Sequence, residues 1–309
     1  MAQELPKIVQ LTALPDDLRN ALSERFQLVV PDQGDPSGIK MAVTTAMRGL
    51  AEDDLQKYPD VELVLSQGVG LDKLDLDAAT AHGVSVSVTP NILTEDVADF
   101  AIGLTYALCR RIAEADRFVR AGRWGAERIR PSTSLHKKSM GIVGMGRIGQ
   151  AIARRAAGLG MRVIYTGRAR KTDLAYDYTP SLMELAGVCD VLVLACPGGE
   201  DTHHLCDQRV LDVLGPDSFL VNISRGSVVD ERALLASLEG GVIAGAALDV
   251  FETEPELNAD FLSLDNVVLT PHSASVTHEV RVELIRNMLD EADAYVSGNP
   301  LKNIANKAK

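Results

Sequence analysis

The chain has 309 residues, 46% of them apolar and 4% aromatic, enough for a large core and the length of about two domains. A formal net charge of −12 argues against non-specific binding to nucleic acid or to an anionic membrane, both of which require a broad positive face. Apolar runs stop short of the roughly 20 residues a membrane helix needs, and Cys109, Cys189, Cys196 and Cys206 show no CxxC spacing. The expectation is a cytoplasmic protein with reduced thiols, no secretory leader and no metal.

In chain order, "KIVQLTAL", "RFQLVVP", "MAVTT", "VELVLSQG" and "VSVSV" are short β-rich runs separated by polar helical stretches. That alternation predicts a parallel sheet. Thr94, Glu95 and Asp96 then look like a helix start, and Leu93, Val97, Ala101, Leu104, Leu108 and Ile112 follow at helical spacing, predicting one long helix. A second β/α series runs through "MGIVGMG", "MRVIYTG", "VLVLAC", "FLVNIS", "IAGAALDV" and "VVLT", the apolar strands of a sheet covered on both faces. The last amphipathic stretch, "EVRVELIRNMLDEADAYVSGNP", reads as a helix stopped at Gly298 and Pro300, free to pack back on the first domain. The fold class is therefore α/β, with two doubly wound parallel-sheet domains.

In "MGIVGMGRIGQAIARRAAGLG", Gly144, Gly146 and Gly149 lie between an apolar strand and an Ala-rich helix. Such glycines permit a tight turn and let the backbone approach a pyrophosphate at the positive helix start. The following strand ends in "YTGRARK", where an acidic residue usually accepts the adenosine ribose hydroxyls. Here Gly167 leaves room for a 2′-phosphate, and Arg168, with Arg170 or Lys171, offers it charge-assisted hydrogen bonds. The expected cofactor is NADPH, with NADH bound less tightly; the alternative is a solvated basic loop.

Three later stretches, "VNISRGSVVDERALL", "GAALDVFETEPEL" and "VVLTPHSAS", each begin at the end of an apolar run and carry Arg225, Glu254 and His272. That set suits reduction of a 2-oxo acid. The planar arginine fork binds carboxylate and keto oxygen, the histidine donates a proton to the developing alkoxide, and the carboxylate stabilises and orients the charged imidazole.

At these residues the chain resembles the D-isomer-specific 2-hydroxyacid dehydrogenase family. "SQGVGLDKLDL", "LTEDVADFAIGL", "GIVGMGRIG", "NISRGSVVDERAL", "AALDVFETEP" and "LTPHSAS" agree with family signatures in order and spacing. The resemblance implies a flavodoxin-like substrate domain split between residues 1–98 and 281–309, a Rossmann domain over 99–280, and catalysis in the cleft between them. It implies that Arg225, Glu254 and His272 are catalytic, and that the Val69 and Gly70 N–H groups receive the substrate carboxylate beside Arg225 and His272. Asp249 is then expected to hold the nicotinamide carboxamide. Further expected cofactor contacts are Thr94, Arg147, Ile148, Cys196, Pro197, Thr202, Ile223, His272 and Ala274. In "CPGGEDT", Gly198 and Gly199 depart from the family's commoner polar-apolar pair. Family members are usually homodimers through the cofactor domain.

Within the family, "YTGR" is similar to NADPH-preferring glyoxylate and hydroxypyruvate reductases, and the "PHSAS" region also to hydroxyphenylpyruvate reductases. The expected reaction is hydride transfer to C2 of glyoxylate or hydroxypyruvate, giving glycolate or D-glycerate. Alternatives are an aromatic 2-oxo acid substrate or a nucleotide-sensing corepressor that turns over slowly. Phosphoglycerate and formate dehydrogenases fit these residues less well. Arg123 and Trp124 in "AGRWG" admit two roles, a buried anchor in their own subunit or, by the resemblance, a dimer contact. His82, His136, His203, His204 and His278 fall in polar stretches with no repeated ligand pattern and are expected at the surface or at caps.

Overall fold

Short, largely buried apolar runs make up the first sheet of the computed structural model, which describes residues 5–33 and 35–306. Residues 1–4 and 307–309, the ends of the expected substrate-domain segments, and Gly34 lie outside the described residues. The strands are β1 (Lys7–Gln10), β2 (Gln27–Val29), β3 (Met41–Thr45), β4 (Leu63–Gln67) and β5 (Ser85–Ser87), all parallel in the order β2-β1-β3-β4-β5. Ile8, Met41, Val43, Leu63 and Leu65 point to one face; Val9, Ala42 and Val64, their sequence neighbours, point to the other. Both faces are apolar because both are covered by helices, so the strands read as continuous hydrophobic runs. The helices of this part are α1 (Asp16–Ser23), α2 (Glu52–Lys57) and α3 (Leu76–Ala81).

The chain divides into two units, residues 1–93 with 276–309, and residues 94–275. The second unit opens with α4 (Thr94–Cys109) and α5 (Ile112–Arg120), where the spacing predicted one helix. Arg111 takes a left-handed backbone at φ 54° and turns the chain, which leaves Ile112 52% exposed, off the apolar stripe that buries Val97, Ala101, Leu104 and Leu108. A left-handed non-glycine residue ends a helix, and apolar periodicity alone does not register it.

The second sheet follows, with β6 (Ser139–Val143), α6 (Arg147–Gly158), β7 (Arg162–Thr166), β8 (Asp177–Tyr178), α7 (Leu182–Ala186), β9 (Val191–Leu194), α8 (Gln208–Leu214), β10 (Phe219–Asn222), α9 (Glu231–Glu239), β11 (Gly245–Leu248) and β12 (Val267–Leu269). All seven strands are parallel, in the order β12-β11-β10-β9-β6-β7-β8. The order reverses between β6 and β9, the topological switch point where ligands bind outside the carboxyl ends of such sheets. Helices α7, α8 and α9 fill one face; α4 and α6 lie on the other, tied by Arg155, which reaches both Asp99 and Glu95 at 2.6 and 2.8 Å.

Helix α10 (His278–Val296) belongs to the first unit, as its amphipathic pattern allowed. Met288, Leu289 and Ala292 join the core formed by β1, β3, β4 and α1, and Tyr295 donates a hydrogen bond to Glu62 at 2.7 Å. Beyond α10, Ile304 bridges Ser87 antiparallel and pairs the free edge of β5. That covers the row of backbone donors an edge strand otherwise exposes.

Candidate active site

Because the second sheet is parallel, every loop at its carboxyl edge emerges on one side, and those loops carry Gly144, Gly167, Arg168, Arg225, Glu254 and His272. Gly144 follows β6 with φ 97°, and a Cβ there would lie 2.7 Å from the Cys196 backbone, so only glycine lets the β6 and β9 loops approach this closely. A Cβ on Gly149 would lie 2.0 Å from the Gly144 carbonyl oxygen, so its glycine seats α6 against the turn. A Cβ on Gly146 would meet nothing within 4 Å, since this residue faces open space. The first and third glycines therefore build the turn, and the second keeps the approach to the helix start clear.

Gly144 and Gly146 line a cavity of about 1110 Å³ together with Val143, Thr166, Gly167, Arg168, Arg170 and Lys171. Cys196, Pro197 and Thr202 lie on its opposite wall. Arg168, Arg170 and Lys171 are exposed, and among the described residues none has an acidic partner within 4 Å. The loop that presents them is braced from below, since Tyr165 OH accepts the Lys171 N–H at 2.7 Å and Tyr178 OH donates to the Gly167 carbonyl at 3.3 Å. The two tyrosine rings pack at 5.2 Å. Nothing in the sequence marked Tyr178, because it sits on a two-residue strand too short for periodicity to show. Arg147 is exposed and Ile148 half-buried in the first turn of α6, and Thr94 is half-buried at the start of α4. Thr202 turns its hydroxyl to the Pro197 carbonyl at 2.9 Å, closing its own loop. The Cys196 thiol is half-buried, and burial pushes its pKa up, so it is a poor nucleophile.

His272 and Glu254, 18 residues apart, meet through Nδ1 and Oε2 at 2.7 Å. His272 stands just beyond β12 in a left-handed conformation at φ 50°, with its N–H donated to the Asp249 carbonyl at 2.8 Å. The Asp249 side chain, 1% exposed, holds the same loop: it accepts from Thr270 Oγ1 at 2.6 Å, Ser273 N at 2.8 Å and Ala274 N at 2.9 Å. With a longer contact from Ser273 Oγ at 3.5 Å, the roughly four acceptor positions of this carboxylate are largely used inside the chain. Glu254 is positioned in turn by the Phe251 N–H at 2.9 Å. Burial opposes its ionisation, but the His272 hydrogen bond, the Phe251 N–H and the charges of His272 and Arg225 outweigh it, and its pKa lies below the usual glutamate range.

Arg225 follows β10 and is half-buried, with Nη1 donating to the Ser224 carbonyl at 2.9 Å. Its neighbours explain two glycines. A Cβ on Gly226 would overlap the Phe251–Glu252 peptide at 1.9 Å, and one on Gly198 would lie 2.7 Å from Arg225 Cγ. Gly198, where the family pattern departs, thus makes room for the arginine stem. Ile223, 8% exposed, and Ala274, 6% exposed, complete the strand-end surface.

Residues 102–274 match the model of the NAD-binding domain of D-isomer specific 2-hydroxyacid dehydrogenases. The chain belongs to this family. It is 41% identical to "Glyoxylate/hydroxypyruvate reductase A HPR2" of Arabidopsis thaliana, over 95% of this chain and 97% of that one. It is 43% identical to a 2-ketogluconate reductase of Gluconobacter oxydans, over 85% of each. Among solved structures, an NADPH-dependent glyoxylate/hydroxypyruvate reductase of Sinorhizobium meliloti, in complex with NADP and malonate, superposes with a TM-score of 0.90 at 35% identity, covering 97% of this chain and 96% of that one. This dehydrogenase therefore binds a nicotinamide dinucleotide, and the clear approach at Gly146 and the long cavity beside it fit that group.

Three other features of the dehydrogenase concern residues the sequence left open. In the first unit, Val69 is 38% exposed and follows Gly68 at φ 126°; among the described residues the Val69 and Gly70 N–H groups have no acceptor. Trp124 is 76% exposed, which rules out a buried anchor, and Arg123 pairs with Glu127 at 2.6 Å and covers the Phe118 ring instead. His203 and His204, expected as unrelated surface residues, stack at 3.9 Å, and His204 Nε2 lies 2.5 Å from Glu252 Oε1. Among the described residues, no helix is long and apolar enough to cross a membrane.

Proposed function

We propose that this dehydrogenase uses NADPH to reduce small 2-oxo acids, glyoxylate and hydroxypyruvate, to glycolate and D-glycerate. The observation that carries the proposal is the His272–Glu254 pair at 2.7 Å with Arg225 close enough to favour the glutamate's ionised form. Bound NADPH supplies the hydride to the carbonyl carbon. His272, its Nδ1 engaged by Glu254, gives the proton to the developing alkoxide from Nε2. Glu254 stabilises the charged imidazole and fixes its plane. Arg225 takes the substrate carboxylate and carbonyl oxygen in its planar fork.

The cofactor's pyrophosphate is assigned to the turn of Gly144, Gly146, Arg147, Ile148 and Gly149, and its 2′-phosphate to Arg168 and Arg170 with room at Gly167. Thr94, Cys196, Pro197, Thr202, Ile223, Asp249, His272 and Ala274 are the remaining contacts we assign. The preference for NADPH rests on three cations that have no acidic partner among the described residues. A homodimer through the cofactor unit is supported by the exposed Ile112, Val119, Trp124 and Ile129 on and just after α5. Four unpaired cysteines fit a reducing cytoplasm.

Initial rates of NADPH and NADH oxidation with glyoxylate, hydroxypyruvate, phenylpyruvate, 4-hydroxyphenylpyruvate and 2-ketogluconate test the proposal. Fast turnover of the two small acids with NADPH is the expected result. Preference for an aromatic or sugar acid refutes the substrate assignment, and cofactor binding without turnover of any acid points to a nucleotide sensor.

A further inference from the structure

The structure assigns a divalent transition-metal site to His203, His204 and Glu252. One ligand atom from each, two imidazole nitrogens and a carboxylate oxygen, all lie within 4.8 Å of one another. A four-coordinate ion with ligands at about 2.0–2.1 Å sets its donor atoms roughly 3.3–3.5 Å apart, so binding requires the stacked His203 and His204 rings to turn toward one point and His204 Nε2 to separate from Glu252 Oε1. Two nitrogens and one oxygen are the donor set that zinc-class ions select, and the solvent-exposed mouth leaves the fourth position to water.

A second observation supports the site. His204 directs Nε2 to Glu252, and its other nitrogen, Nδ1, lies 4.0 Å from Asp230 Oδ2. The 4.0 Å gap is too long for a hydrogen bond, but metal-bound histidines characteristically give their second nitrogen to a carboxylate, and Asp230 is the carboxylate that faces this nitrogen. Asp230 is itself held as the N-cap of α9, accepting from the Ala233 N–H at 3.0 Å. Glu252 is likewise anchored, since its N–H goes to the buried Glu231 carboxylate at 2.7 Å. His204 is fixed by its N–H to the Ser227 carbonyl at 2.8 Å and a left-handed φ of 48°.

The position gives the site a consequence. His203 and His204 directly follow the loop from Pro197 to Thr202 that walls the cofactor cavity, and Glu252 sits two residues before Glu254 in the turn that faces His272. An ion bound here ties the two segments together and restricts them both.

The test is calorimetric titration of Zn²⁺ into the full-length protein without substrate, for wild type, His203→Ala, Glu252→Gln, Asp230→Asn and, as control, His278→Ala. Binding is read apart from turnover, so failure of the site is distinguishable from failure of the proposed reaction. Wild type and His278→Ala are expected to bind one ion per chain with equal affinity. Affinity is expected to fall about ten-fold in Asp230→Asn and further in the two ligand variants. Replacing Zn²⁺ by Co²⁺ gives a visible tetrahedral spectrum that His203→Ala loses, and Zn²⁺ slows wild-type turnover but not that of His203→Ala. No binding to wild type, or equal binding to wild type and His203→Ala, overturns the site.

Discussion

Replacing Arg168 by alanine isolates the phosphate-binding role of the basic loop. Arg168 is exposed on the wall of the cofactor cavity and has no acidic partner among the described residues, so its removal breaks no ion pair within the chain. Unfolding should change by less than about 0.5 kcal/mol, as for other surface substitutions. A hydrogen bond to a charged group contributes about 1.5–3 kcal/mol, and solvent exposure with Arg170 and Lys171 nearby reduces the share of one arginine to about 1–2 kcal/mol. That corresponds to a loss of about 5- to 30-fold in NADPH affinity. NADH, which lacks the 2′-phosphate, should bind as before. Fluorescence titration of both cofactors, paired with KM values at saturating 2-oxo acid, measures each quantity. A change in NADPH affinity below about two-fold, or an equal loss for NADH, refutes the assignment and leaves the loop a solvated surface feature.

His272→Ala is expected to lower kcat by about 10²- to 10⁴-fold, far more than it weakens cofactor binding; near-normal turnover defeats the proton-donor role. Glu254 has a folded-state pKa below its unfolded value, so its stabilising contribution is complete above the ordinary glutamate range and is lost as pH falls through the depressed value. The urea midpoint of Glu254→Gln should therefore fall below wild type at pH 7 and approach it as the pH falls through the depressed value; a constant gap contradicts the linkage. Gly149→Ala places a Cβ 2.0 Å from a backbone oxygen and should lose about 1–3 kcal/mol of stability or more, whereas Gly146→Ala meets open space and should weaken only cofactor binding. Thermal unfolding with cofactor titration separates the two. Trp124→Ala should weaken the dimer in sedimentation velocity; unchanged association removes that residue from the proposed interface.

Strand-forming stretches were legible because a sheet buried on both faces needs continuous apolar runs, and each of the quoted runs contains one of β1–β7 or β9–β12. β8 escaped because two residues carry no period, and the break at Arg111 escaped because helical spacing does not register a single left-handed residue. The catalytic candidates could be named because each follows a strand, and parallel topology sends all strand ends to one edge. Their pairing was expected from chemistry but not provable from spacing, since Glu254 and His272 come from different loops.

From the sequence alone came the doubly wound α/β class, the glycine turn, the missing acidic residue at the ribose position and the identity of Arg225, Glu254 and His272. These are properties of local spacing and side-chain type, which the chain carries before it folds. Only the tertiary structure decided that Asp249 braces the histidine loop, that Gly198 admits the Arg225 stem, that Trp124 stands in solvent and that His203 and His204 meet Glu252. The histidines and that glutamate are separated by almost fifty residues of chain, and contacts of that kind depend on where neighbouring strands deliver their loops.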